Sequence, residues 1–135
     1  MSVPSQDHQS LDDIEGSTWG PRPSDATTLV AAIHALRHKP VGELTAADLR
    51  LLIGQRVGLD VVLPRALALL RQSPLVEGDL YPGDLLAAAL HLPEAYWREH
   101  SALLAEVRVV LASVAELPPQ LETGVARFTG SSDLL

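Results

Sequence analysis

Cysteine is absent from this 135-residue chain, which excludes disulfides, thiolate catalysis and cysteine-ligated zinc. The absence also fits a cytoplasmic setting, which is the expected location. Aromatic residues are scarce: one Phe, two Tyr and two Trp. The apolar 47% is therefore mostly Leu, Ala and Val, and the Leu and Ala favour helix. No apolar run approaches the roughly 18 residues that span a bilayer. The opening MSVPSQDHQS lacks both the basic and the apolar region of a signal peptide. No stretch alternates polar and apolar residues over a strand's length, so strands are not expected.

Acid is what the chain has in excess. Seventeen Asp and Glu against ten Lys and Arg give a formal charge of −7. Duplex nucleic acid would be repelled by that balance, whereas a basic protein partner would be attracted. Solubility alone is the blander reading of the same charge. The length suits one domain with a single core.

Helical periodicity and start signals predict an all-α single small domain, an irregular or orthogonal bundle of about five to six helices. The expected organisation is a flexible N-terminus over 1–9, a helical domain over 10–116 and a C-terminal tail over 117–135. Ser10 can cap a short helix, Leu11 to Glu15, with Asp12 and Asp13 at its positive end. Trp19, within GSTWGPRP, reads as a plug on the core. A second helix is expected from Ala26 to His38, capped by Ser24 or Asp25, with Leu29, Val30, Ile33 and Leu36 buried. Arg37 falls near that stripe and either snorkels or makes a specific ion pair.

The clearest start lies at Thr45, with Asp48 three residues on and Leu44 and Leu49 in the positions of a hydrophobic staple. That helix is expected to end near Gly58. The next should run from Asp60 to Arg71 with Leu63, Leu67 and Leu70 inward, and Pro64 tolerated only in its first turn. EGDLYPGD then forms a loop into a helix over Pro82 to Leu90, where Asp84 would meet the helix dipole. A long helix is expected from Pro93 to Glu116, bent near His100. The pattern dissolves after Pro118.

Chemistry is thin. His34 and His38 are spaced to share a metal, but Ala35 stands where a metalloprotease helix needs Glu, and no third ligand is near. No metal and no cofactor are expected. Glu77, Asp79 and Asp84 lack the alternating order of a calcium loop, and no basic residue between Arg71 and Arg98 completes a phosphate cradle. The stretch ADLRLLIGQRVGLDVVLPRALALL looks superficially like a helix-turn-helix. Its second helix starts with apolar residues that would bury and not read bases.

Taken together, LDDIEG, HALRHKPVGELTAADLRLLIGQRVGL and PLVEGDLYPGDLL resemble the helical immunity proteins of contact-dependent growth inhibition systems. The likeness covers about residues 10 to 116, and LIGQRVGL and EGDLYPGDLL are its most specific parts. It implies a cytoplasmic, non-enzymatic antidote that binds the C-terminal toxin domain delivered by a neighbouring cell, at its active site or a nearby exosite. Such toxins are often nucleases, and a basic nuclease would suit an acidic binder. Nucleic acid, membrane and small-molecule substrates are not expected as partners. The alternative is a helical adaptor or regulatory module with no toxin. Charge nominates the contacts: Glu77, Asp79, Tyr81 and Asp84, with Asp12, Asp13 and Glu15 as a second contribution if the fold brings them near.

Overall fold

A computed structural model describes residues 7–16 and 27–130, so the expectations for Trp19, Ser24 and Asp25 lie outside the described residues. Eight helices follow in order: α1 (Leu11–Glu15), α2 (Thr28–His38), α3 (Ala46–Gly54), α4 (Leu59–Gln72), α5 (Asp84–Leu90), α6 (Glu94–Glu99), α7 (Ser101–Ser113) and α8 (Pro119–Gly130). A 3-10 turn, Val41–Glu43, links α2 to α3. Among the described residues there is no strand, only an isolated bridge between Glu77 and Pro82. The fold is all-α, as the periodicity predicts, with more helices than expected.

Helix α3 packs against both α4 and α5, and this trio carries the centre of the core. Leu52, Ile53, Leu63, Leu67, Leu70, Leu85 and Leu86 are all fully buried there. Helix α7 covers α4, α8 covers α5, and α1 lies on α2. Trp97 of α6 is fully buried, so one of the few aromatic residues is spent on packing.

The predicted start of α3 is present in full. The Thr45 hydroxyl accepts the Asp48 N–H at 3.1 Å, and the Asp48 carboxylate accepts the Thr45 N–H at 3.0 Å. Leu49 is buried and Leu44 packs on the core beside it. Thr45→Ala should therefore cost about 1 kcal/mol in chemical denaturation, with no change in helix content at room temperature.

Several expectations are corrected. Helix α2 starts two residues late, at Thr28, with Thr27 accepting the Val30 N–H as its cap. Leu29 and Val30 are exposed, at 43% and 38%, and only Ile33 and Leu36 of the proposed stripe are buried. Helix α3 stops at Gly54, four residues short of Gly58, because Gly58 instead holds the left-handed position that opens α4. Pro64 lies beyond the first turn of α4. The carbonyl that loses its partner there belongs to exposed Asp60, where water can replace it. Helix α5 begins at Asp84 and not at Pro82.

The long helix after Pro93 is two helices, broken where His100 takes φ −130° and ψ 57°. Its ring nitrogen lies 2.7 Å from the Tyr96 carbonyl, and the ring stacks on Tyr96 at 4.0 Å. Beyond Pro118 the chain is helical, where no helix was expected. Leu121 of α8 is 1% exposed, and burial of a few such side chains against α5 supports a helix with a weak local pattern.

Candidate partner-binding site

The loop between α4 and α5, residues 73–83, brings the acidic residues of EGDLYPGD together, and Asp84 organises it. The Asp84 carboxylate is 2% exposed and accepts three successive backbone N–H groups, from Gly78 at 2.6 Å, Asp79 at 3.1 Å and Leu80 at 2.9 Å. Burial raises its pKa, but these hydrogen bonds outweigh burial and hold the carboxyl below the ordinary value of 3.8. Asp84 thus fixes the loop from inside, with its carboxylate committed to the loop backbone.

The two loop glycines serve the same closure. A Cβ on Gly78 would sit 3.0 Å from the Asp84 carboxylate and 3.2 Å from the Ala47 backbone. Gly83 has φ 88°, and a Cβ there would come within 2.6 Å of the Leu121 side chain. Both positions need glycine so that the loop can close on α3 and α8.

Glu77 and Asp79 point outward and are exposed. Glu77 has no ion pair among the described residues. Asp79 is paired by Arg50 of α3 in a two-point contact, Nε to Oδ1 at 2.7 Å and Nη2 to Oδ2 at 3.3 Å. The same guanidinium lies 3.8 Å from Asp84. The stretch that reads as acidic and free of basic residues therefore carries one cation in space. Three carboxylates against one guanidinium still leave it negative. Tyr81 is half-buried and packs on the core, and Leu80 beside it is 61% exposed.

Of the second acidic group only Asp12 is turned inward, while Asp13 and Glu15 are exposed. Asp12 is 8% exposed and accepts from Arg37 Nε at 2.7 Å, while Glu15 accepts from Arg37 Nη2 at 2.6 Å. Asp13 closes the capping box of α1 with Ser10. Of the two readings for Arg37, the specific ion pair is the observed one, and the side chain is 2% exposed. Of the two histidines spaced to share a metal, only His38 is exposed to solvent. His34 is buried, and His38 directs Nε2 to Asp12 at 3.3 Å and Nδ1 to the His34 carbonyl at 2.7 Å. Among the described residues no group of three or more His, Asp or Glu side chains is placed to hold a metal ion.

Sequence reasoning missed Arg50, Leu80, Gly54 and His91, which border the loop. Arg50 lies 29 residues before Asp79, and no local pattern pairs them. Leu80 was visible only as one apolar residue inside a polar turn.

The site defines a class before it suggests a reaction: a small helical domain that presents a rigid, negatively charged loop. The chain matches the family model of CDI immunity proteins over residues 13–107, more than half its length, and it belongs to that family. An immunity role against toxins of contact-dependent growth inhibition systems follows from that membership. The match takes in α2 to α6, the acidic loop and the first half of α7. No curated protein and no solved structure matches the chain. Among the described residues no helix is long and apolar enough to cross a membrane.

Proposed function

We propose that this protein binds the toxic C-terminal domain of its cognate contact-dependent growth inhibition system and neutralises it by covering the active site or an adjacent exosite. It acts in the cytoplasm by occupancy and catalyses nothing. The observation that carries this reading, together with the family, is the preformed acidic loop. Its backbone is ordered by Asp84 before any partner arrives, so little entropy remains to be lost on docking. A nuclease is basic where it holds phosphate, and a binder at −7 attracts it from a distance.

Glu77 is the cleanest probe, because Asp79 is tied to Arg50 and Asp84 holds the loop. Glu77→Lys should slow association with the toxin domain several-fold at low salt while leaving unfolding unchanged, and the gap should narrow as salt rises. Equal association rates for the two proteins across the salt series would remove Glu77 from the contact.

A further inference from the structure

Beneath the acidic loop lies an open groove between α3 and α5 with a volume of about 220 Å³. The loop contributes Leu80 and Tyr81, α3 contributes Arg50 and Gly54, and α5 contributes Asp84, Ala87 and Ala88, with His91 just beyond its end. The space exists because three of these positions carry the smallest side chains. At Gly54 a Cβ would meet nothing within 4 Å.

We infer that this groove receives one apolar side chain of leucine or phenylalanine size from the toxin, seated beside a basic residue that faces Glu77 and Asp79. The inference rests on the toxin-binding reading and names the chemistry of the contact. Volume permits it: a cavity of roughly 150 Å³ accepts a benzene ring. Leu80 supports it independently. An exposed leucine on a flexible turn would be unremarkable, but the Leu80 N–H is held by the Asp84 carboxylate at 2.9 Å. Its backbone is thereby held at the groove, with the side chain 61% exposed, so only side-chain rotamer freedom remains to be lost on binding. An apolar anchor in a small pocket, ringed by polar groups that exclude water, is the usual form of a binding hot spot. Arg50 at the groove is spent on Asp79 and Asp84, the adjoining loop carries Glu77, unmatched among the described residues, and the chain as a whole stands at −7. That charge selects a basic protein surface over a second copy of this acidic chain.

The test uses the full chain and the toxic C-terminal domain of the cognate contact-dependent growth inhibition system, with affinity measured by calorimetry. Gly54→Leu fills the groove from a helical position with open space, and a non-glycine residue there favours the helix, so the variant should fold. Leu80→Ser removes the exposed wall from outside any helix. Each should weaken binding about tenfold or more, while Gly54→Ala stays within about twofold of the parent. If the parent binds and both variants bind within about twofold of it, the groove is not the contact, although the toxin-binding reading stands. If the parent itself does not bind the toxin domain, that reading falls and takes the groove with it. A parent that dimerises and a Gly54→Leu chain that does not, in sedimentation, would assign the groove to a second copy and overturn the inference.

Discussion

Arg37→Met should lower the unfolding free energy by about 3–5 kcal/mol, the largest loss expected from any single polar substitution in the chain. The reason is what the substitution leaves behind. Arg37 is 2% exposed and bonds Asp12 and Glu15, and Asp12 is itself buried. Without the guanidinium, the Asp12 carboxylate stays in the α1–α2 contact with, among the described residues, His38 at 3.3 Å left as its ionic partner. Coulomb energy in a poorly hydrated site is large, and so is the penalty for leaving one ion unmatched. Replacing both partners by apolar residues of similar size removes the penalty with the pair. The double variant Arg37→Met, Asp12→Leu should therefore be more stable than Arg37→Met alone, as read from urea midpoints. A shift below about 1 kcal/mol for Arg37→Met would mean that α1 is not docked on α2 through this pair.

Asp84→Ala should cost about 2–3 kcal/mol, since three backbone N–H groups lose one shared acceptor. The figure stays below the sum for three fully buried donors because all three hydrogen bonds are only partly buried. The same carboxylate makes the loop sensitive to acid. Its folded pKa lies below the ordinary 3.8, so the unfolded chain takes up the proton first as pH falls. The stabilisation is complete above the ordinary value and is lost as pH falls through the folded one. Asp48 contributes with the same sign. Burial raises its pKa, and the hydrogen bonds from Lys39 and Thr45 more than offset that. Asp84→Asn should consequently flatten, without abolishing, the fall in stability below about pH 4. An unchanged slope between parent and Asp84→Asn would remove the carboxylate from the acid response.

These two residues also mark where the sequence was legible and where it was not. Signals complete within one turn, such as the Thr45 and Asp48 box or the burial of Leu63, Leu67 and Leu70, are visible because cap and periodicity are local. Asp84 was placed correctly at a helix start but read as a dipole partner. Its real role depends on a loop folding back six residues to Gly78. Arg50 and Arg37 were beyond reach in partner if not in position, since their carboxylates lie 29 and 25 residues away. Helix α8 failed for a related reason: its stability comes from burying Leu121 against α5, which no window over 119–130 contains. The family likeness, carried by LIGQRVGL and EGDLYPGDLL, was legible as a phrase. Its physical content, a turn between α3 and α4 and a carboxylate-closed loop beside them, needed the fold.

The central claim is protection, and growth measures it most directly. The C-terminal domain of a candidate cognate toxin is induced in cells that carry this chain, the Glu77→Lys variant, or neither. Toxicity alone should arrest growth, the parent chain should restore it, and Glu77→Lys should restore it less at matched protein level. Arrest that persists with the parent chain folded and present would contradict an immunity function against that toxin.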